Sequence, residues 1–301
     1  MVKVKVPATS ANLGPGFDAL GISLNLYNNF EFEEIEKGLV ITGVEKSLAS
    51  KNNLVYRSMM RTFDEIKYNP KGIKIHMDAQ VPMSRGLGSS AACIIGGIMG
   101  ANYLGGEILT TDEILDLATE IEGHPDNVAP ALLGGLVVSI VEGRKTIYNR
   151  LDIAKGIKFV ALIPDFTLST KKAREVLPET IPFKDCTNNV SRVSMLLTAL
   201  VNGKFHLLEY AFKDVLHQPY RGKLIPSFFD IIDRSQQYGA FGAYLSGAGP
   251  TIMAVAKEDD GEFTKKIKKY LKTLDNSWTV EELQIDTKGA TVEKDLKTCY
   301  I

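Results

Sequence analysis

Residues 82–92 read Pro82-Met83-Ser84-Arg85-Gly86-Leu87-Gly88-Ser89-Ser90-Ala91-Ala92, and much of the chain's organisation can be worked out from them. Gly86 and Gly88 allow a tight turn and let a ligand approach the backbone without a Cβ in the way. The small and apolar residues from Ala91 onward predict a helix, whose first N–H groups and positive dipole end favour an anion. The stretch therefore predicts a phosphate-binding loop that leads into a helix.

Two other phosphate motifs do not fit this loop. It lacks the Gly-Lys-Ser/Thr ending of a Walker A loop. Its spacing also differs from the dinucleotide-binding fingerprint, and no acidic residue follows at the expected distance. A plain tight connection between two elements is the alternative interpretation.

Composition and charge exclude several classes of protein. The chain has 301 residues, 45% apolar and 24% charged, which is typical of a globular protein with one large or two ordinary domains. A net charge of -1 gives no overall attraction to nucleic acid or an anionic membrane, so neither partner is expected. The alternating N-terminus and the lack of a long apolar run predict neither a signal peptide nor a membrane span. Cys93, Cys186 and Cys299 are widely spaced, which favours reduced thiols and a cytoplasmic location.

Hydrophobic periodicity alternates between the strand and helix patterns along the whole chain. Strands are predicted over 2–6, 20–34, 39–44, 72–77, 136–141, 159–164, 242–245, 251–256 and 278–285. Helices are predicted over 53–66, 89–103, 111–122, 170–176, 189–202, 205–215, 227–238 and 262–274. This mixture indicates an α+β protein with two units, 1–155 and 156–301.

A second group of candidate residues lies in the predicted loop 7–18, Pro-Ala-Thr-Ser-Ala-Asn-Leu-Gly-Pro-Gly-Phe-Asp. Thr9, Ser10, Asn12 and Asp18 place more polar chemistry there than a turn requires. A turn between two strands is the simpler interpretation.

A third group surrounds the end of the predicted helix 111–122. Glu120 could reach a Mg²⁺ ion, which prefers one or two carboxylates together with phosphate oxygens and water. For Glu122 a solvated helix face is the preferred interpretation, although it too could bind the ion. His124 alone is typical of an ordinary turn, but His124-Pro125-Asp126-Asn127 is hard to explain by turn chemistry only.

Basic residues and a second glycine loop complete the candidates. Thr170-Lys171-Lys172-Ala173-Arg174 and Arg221 are each more typical of a solvated surface when taken alone. Ser246-Gly247-Ala248-Gly249-Pro250 could be a simple hairpin-like turn.

Taken together and in this order, residues 7–18, 82–92 and 245–251 (Leu-Ser-Gly-Ala-Gly-Pro-Thr) resemble the GHMP kinase superfamily. The first of these, with Gly-His-Pro-Asp-Asn-Val-Ala-Pro at 123–130 and Arg-Gly-Lys-Leu-Ile-Pro at 221–226, is similar to the homoserine kinase branch. The resemblance implies two α+β domains with the active site between them. It also implies a left-handed βαβ unit in the N-terminal domain and a ferredoxin-like C-terminal domain.

The implied activity is phosphorylation of L-homoserine by ATP with Mg²⁺, in threonine biosynthesis, by a homodimer. The resemblance assigns ATP binding to Pro82, Met83, Ser84, Arg85, Gly86, Leu87, Gly88, Ser89, Ser90, Ala91, Ala92 and, near the adenine, Asn53. It assigns Mg²⁺ to Ser90, or its neighbour Ser89, and Glu120. It assigns homoserine to Asn12, Asp18, His124, Asp126, Asn127, Arg174 and Arg221. Asn12 and Thr170 would orient the reacting hydroxyl, and Arg174 would stabilise the transferring group.

Two alternatives stay open at this point. The chain could be a sibling small-molecule kinase for mevalonate, shikimate or a sugar. It could also be a non-catalytic sensor that binds ATP without turning it over.

Overall fold

The computed structural model describes residues 1–294, and their strands form a mixed sheet of seven and an antiparallel sheet of four. Cys299 and the end of the predicted unit 156–301 lie outside the described residues. The chain passes from the first sheet to the second between Leu151 and Ile157.

The first half builds most of the larger sheet and four helices. Its elements are β1 (Val2–Ala11), β2 (Leu20–Glu34), β3 (Gly38–Thr42), α1 (Leu54–Ile66), β4 (Gly72–Ala79), α2 (Ser89–Leu104), α3 (Thr111–Glu122), α4 (Pro125–Leu133), β5 (Leu136–Glu142) and β6 (Lys145–Leu151). Only the β3–β4 pair is parallel within the described sheets, and α1 connects the two strands. This is the expected βαβ unit; its left-handed sense stays a prediction.

The second half forms the smaller sheet and six helices within the described part of the chain. Its elements are β7 (Ile157–Pro164), α5 (Thr170–Glu175), α6 (Phe183–Val201), α7 (Leu208–Ala211), α8 (Gln218–Arg221), α9 (Phe228–Gln237), β8 (Gly242–Leu245), β9 (Ile252–Lys257), α10 (Gly261–Leu271), β10 (Trp278–Leu283) and β11 (Thr291–Lys294). The strand order β10-β7-β9-β8, with helices between β7 and β8 and between β9 and β10, is the predicted ferredoxin-like arrangement.

The observed elements differ from the predicted ones in several places. The loop expected from Pro7 is strand up to Ala11, because these small residues are buried and pair with β2 after a register shift at Pro7/Ala8. Strand β6 was not predicted, since its side chains are mostly polar or exposed. Strand β11 returns to the first sheet beside β1, so this segment of the predicted C-terminal unit packs with the N-terminal one.

A shared hydrophobic core joins the two halves. Leu20 and Ile22 of β2 belong to the same buried cluster as Phe159 of β7 and Tyr244 of β8. The two sheets therefore hold each other at a fixed separation, which defines the cleft between them. None of the helices in residues 1–294 has the length and apolar character needed to cross a membrane.

Candidate active site

A cleft of about 620 Å³ lies between the two halves of the molecule. Its lining comes from the loops after β1 and β4, the segment 43–54 between β3 and α1, the first turn of α2, the α3–α4 junction, α5, α8 and the 247–249 turn. One end is mostly apolar, the middle faces the 82–90 loop, and the other end is charged. Such a division suits a ligand with an apolar ring, a phosphate chain and a small polar acceptor.

The middle of the cleft is formed by the glycine loop that the sequence predicts. Gly86 and Gly88 have φ of +77° and +69°, the left-handed region that glycine adopts without strain. A Cβ at Gly88 would collide with the Thr9 hydroxyl. Within the described residues, no backbone N–H of Gly86 to Ala91 donates a hydrogen bond to another protein group. The loop and the α2 N-terminus thus present free donors suited to an anion.

The second glycine loop supports the first from the other half of the molecule. Ser246 Oγ donates to Gly86 O at 2.5 Å and lies 2.8 Å from Ser10 Oγ. Thr251 N–H donates to Arg85 O at 3.2 Å. These bonds use the carbonyls of the phosphate loop and leave its amides free.

Several residues assigned to ATP binding have side chains that are engaged elsewhere in the fold. The Arg85 guanidinium donates to Pro164 O and Asp165 O, at 2.9 and 2.7 Å, at the end of β7. Leu87, Ala91 and Ala92 are buried in hydrophobic clusters and lie outside the cleft lining. For Leu87, Ala91 and Ala92, therefore, only backbone groups, or those of their neighbours, can take part in phosphate binding. Apart from Leu87, all members of the 82–90 loop line the cleft: Pro82, Met83, Ser84, Arg85, Gly86, Gly88, Ser89 and Ser90.

Asn53 lies at the apolar end, among Leu48, Leu54 and Met77. Its Oδ1 accepts the N–H groups of Val55 and Tyr56 and so caps α1, while its Nδ2 donates to Leu48 O at 3.0 Å. The side chain is therefore engaged in structure, and its role near an adenine stays a prediction.

Of the two carboxylates considered for the metal, the structure places Glu122 and not Glu120 at the cleft. Glu120 does not line the cleft; its side chain is 59% exposed and pairs with Arg61 at 3.1 Å. Glu122 lines the cleft and accepts a hydrogen bond from Ser90 Oγ at 2.8 Å. Residues two positions apart on a helix are rotated by about 200° from each other, so only one of the two glutamates can face the cleft. Burial raises the pKa of Glu122 above its usual range, although the Ser90 hydrogen bond opposes the shift.

Asp18 and Arg174 meet at the charged end across the two halves. The Arg174 guanidinium donates to both carboxylate oxygens of Asp18, at 3.1 and 2.9 Å. Asn12 lies beneath this pair, where Oδ1 accepts from Asp18 N–H at 3.0 Å and Nδ2 donates to Gly247 O at 3.0 Å. The structure brings these three predicted residues together, with Asn12 positioning the Asp18 backbone.

His124, Asp126 and Asn127 form a second polar group on the α3–α4 junction. His124 Nδ1 lies 2.5 Å from Asp126 Oδ1, and Asp126 is 2% exposed. Asn127 Oδ1 accepts from Thr9 Oγ1 at 2.7 Å. Burial disfavours protonation of His124, but the hydrogen bond and charge of Asp126, with Glu122 and Asp18 nearby, outweigh it and raise the His124 pKa. Side-chain ligand atoms of Asp18, His124 and Asp126 lie within 4.8 Å of one another.

Arg221 is a buried cation at the same end, with 2% exposure. Its Nε donates to Ala173 O at 2.9 Å and its Nη1 to Gly247 O at 3.2 Å. Among residues 1–294 it has no ion-pair partner. Burial, and then the charge of Arg174, lower its pKa to about 10. A buried guanidinium without a carboxylate at a cleft wall is suited to an anionic ligand group.

Thr170 also lines the cleft, as the exposed first residue of α5. Sequence reasoning missed Cys93, which lies in the cleft beside Glu122 and whose pKa burial raises to about 12. The helical spacing of Cys93 from Ser89 and Ser90 placed it on the same face and could have revealed it.

This two-unit α+β fold has a glycine loop whose free amides open onto a shared cleft, an arrangement that suits a small-molecule kinase. Models described as the GHMP kinase N-terminal and C-terminal domains match residues 53–135 and 196–272. The chain belongs to the GHMP kinase family.

Close relatives carry a more specific name. The homoserine kinase of Clostridium botulinum strain ATCC 19397 is 53% identical over 97% of this chain and 98% of the relative. The homoserine kinase of Clostridium beijerinckii is 50% identical over 99% of this chain and 100% of the relative. A crystal structure of homoserine kinase from Cytophaga hutchinsonii superposes with a TM-score of 0.87 at 28% identity, covering 97% of each chain.

Proposed function

We propose that this chain is a homoserine kinase: it transfers the γ-phosphoryl group of ATP to the side-chain hydroxyl of L-homoserine, a step of threonine biosynthesis. The observation that carries the proposal is the position of the free amides of residues 86–91 beside a charged pocket. Relatives that share about half of the residues over nearly the whole chain carry this name.

ATP would occupy the cleft from its apolar end to its middle. Val44, Leu48, Leu54 and Met77 offer apolar surface to the purine ring. The triphosphate would then run along the 86–91 amides at the α2 N-terminus, where hydrogen bonding and the helix dipole both favour negative charge.

Ser90 and Glu122 fit a magnesium ion at the phosphates. A hydroxyl and a carboxylate are hard oxygen ligands, and Mg²⁺ usually takes few protein ligands together with phosphate oxygens and water. The raised pKa of the buried Glu122 carboxylate indicates a site that favours added positive charge. When bound, the ion would neutralise charge on the phosphates.

L-homoserine would occupy the charged end through its ammonium and carboxylate groups. Arg221 would receive the carboxylate, because it is a buried cation with no acidic partner among the described residues. Asp126 would face the ammonium from the opposite wall, beside His124 and Asn127. A substrate carboxylate at Arg174 would compete with Asp18 and free that carboxylate for the ammonium.

Catalysis would depend mainly on positioning and charge, since phosphoryl transfer passes through a loose transition state. Thr170 lies at the cleft wall where it can orient the homoserine hydroxyl. Asn12 would act by holding the Asp18 backbone, and Arg174 would stabilise charge on the transferring group. No strong general base is proposed.

A substrate panel tests the proposal directly. ADP release is measured with Mg-ATP and L-homoserine, mevalonate, shikimate or galactose at equal concentration, and without any acceptor. We expect release with L-homoserine well above the others and O-phospho-L-homoserine as the product. A preference for another alcohol would identify a sibling kinase, whereas ATP binding with no acceptor-dependent turnover would identify a sensor.

The proposal includes a homodimer, carried over from the resemblance to the family. Sedimentation velocity tests it, since the molecular mass obtained should be near twice the 33.1 kDa of one chain.

A further inference from the structure

Two guanidinium groups of the charged pocket lie close to one aromatic ring. The Cζ atom of Arg221 is 4.9 Å from the centroid of Phe17, and that of Arg174 is 5.7 Å from it. Both distances are within the range of a cation–π interaction. Phe17 itself is not part of the cleft lining, whereas both arginines are.

Bringing two cations together in a partly buried site is costly, because each charge disfavours the other. Both guanidinium groups lie against the same ring, and the charge of Arg174 contributes to the lowered pKa of Arg221. Asp18 compensates Arg174 with two hydrogen bonds, whereas within residues 1–294 Arg221 donates to the carbonyls of Ala173 and Gly247 and to no carboxylate. The charges of Asp18, Asp126 and Asp214 favour the Arg221 cation without a hydrogen bond to it, and the ring of Phe17 adds negative potential directly beside the guanidinium.

The ring is itself held in place by the fold. Phe17 stacks on the imidazole of His217, with centroids 5.2 Å apart and planes inclined by 26°. His217 is fully buried, and its Nε2 donates to Gly14 O at 2.7 Å, in the same loop as Phe17. Phe17 also directly precedes Asp18, so one loop supplies both the ring and the carboxylate.

We propose that Phe17 is a positioning residue that keeps Arg174 and Arg221 together in the orientation that receives the substrate carboxylate. The inference rests on the proposed function, because it assigns to Phe17 the recognition of an amino-acid acceptor. It follows that Phe17 contributes to the preference for acceptors with a carboxylate over otherwise similar amino alcohols.

A pair of acceptors isolates this contribution. L-homoserine and 3-aminopropan-1-ol share the hydroxyl, the ammonium and the spacing between them, and differ in the carboxylate. The second compound is measured as a substrate, or as a competitive inhibitor against L-homoserine if its turnover is too slow.

Phe17→Leu keeps an apolar side chain but removes the ring. We expect its KM for L-homoserine to rise on the order of tenfold, as the loss of a partly desolvated cation–π contact implies. The KM for ATP should stay within about twofold of wild type, as should the constant for 3-aminopropan-1-ol, because neither compound has a carboxylate for the two guanidinium groups to receive. Phe17→Tyr retains a ring and should behave as wild type does. Phe183→Leu, at a ring that is 82% exposed, controls for loss of an aromatic side chain elsewhere.

The outcomes separate this inference from the proposed function. Wild type without homoserine-dependent turnover would overturn the proposed function. If wild type is active, the role of Phe17 alone would be overturned by a Phe17→Leu variant with an unchanged KM for L-homoserine, or with equal losses of affinity for both acceptors. A Phe17→Tyr variant that resembles Phe17→Leu would overturn it as well. Phe17→Met serves as the ring-free variant if Phe17→Leu does not fold.

Discussion

The Ser90 hydroxyl donates to Oε2 of Glu122 across 2.8 Å, which joins the first turn of α2 to the last turn of α3. This contact places one hydroxyl and one carboxylate beside the free amides of the phosphate loop. It also distinguishes Glu122 from Glu120, which points to the protein surface.

Glu122→Gln should lower kcat on the order of a hundredfold or more, because it removes the carboxylate proposed to hold magnesium. Glu120→Gln is the matched control, since Glu120 lies on the same helix and pairs with Arg61 outside the cleft. Steady-state kinetics at saturating Mg-ATP and L-homoserine compare the two. Equal activity of both variants would contradict the assignment of Glu122.

The same variant should be more stable than wild type at neutral pH. Burial raises the folded-state pKa of Glu122 above the ordinary 4.5, so its carboxylate destabilises the fold when ionised. The gain in Tm should shrink as pH falls through the raised pKa and vanish below about 4.5. Thermal unfolding between pH 4 and 8, without nucleotide, measures this; a gain that is constant over that range would disprove it.

Arg221→Ala should raise the KM for L-homoserine at least about thirtyfold, as expected when one partner of a buried charge pair is removed. The KM for ATP should change little, because Arg221 lies at the opposite end of the cleft from the apolar pocket. Arg221→Lys should recover only part of the loss, since lysine cannot reproduce a planar bidentate contact. An unchanged KM for L-homoserine in Arg221→Ala would exclude Arg221 from the substrate site.

The His124–Asp126 contact should stabilise the protein in a pH-dependent way. Because the folded-state pKa of His124 is raised above 6.5, its contribution is complete below pH 6.5 and is lost as pH rises through the raised value. The Tm of wild type should therefore exceed that of His124→Gln most at low pH, and the difference should shrink as pH rises through the raised pKa. His206→Gln, at an exposed histidine outside the cleft, should track wild type at every pH. A Tm difference between wild type and His124→Gln that grows with rising pH would contradict the raised pKa of His124.

Gly88→Ala should weaken ATP binding by more than tenfold. An alanine at φ +69° costs about 1–2 kcal/mol, and its Cβ would also collide with the Thr9 hydroxyl, so the loop must shift. Gly261→Ala is the control, because a Cβ there meets nothing within 4 Å. The KM for ATP of both variants decides the matter; a normal value in Gly88→Ala would show that the loop geometry is not required.

Local composition was enough to predict the glycine turn, the helix that follows it and most elements. Gly86 and Gly88 next to a run of small residues define a turn and a helix start, and Thr111 to Glu122 has a helical period together with acidic residues in its first turn. These signals depend on neighbours in the chain, so they survive without knowledge of the fold. The prediction for β1 ended before Pro7 because the residues that follow are small and polar. In the structure the strand continues to Ala11 because that segment is buried between other elements.

The sequence by itself determined which residue types were available: a glycine loop for phosphate, and carboxylates and guanidinium groups for a small charged acceptor. Only the tertiary structure decided which of them meet. Asp18 and Arg174 are 156 residues apart and Ser90 and Glu122 are 32 apart, yet both pairs are in hydrogen-bond contact. Such contacts depend on how two sheets pack through a common core, and on the rotation of one helix face, and neither is encoded in the local order of residues.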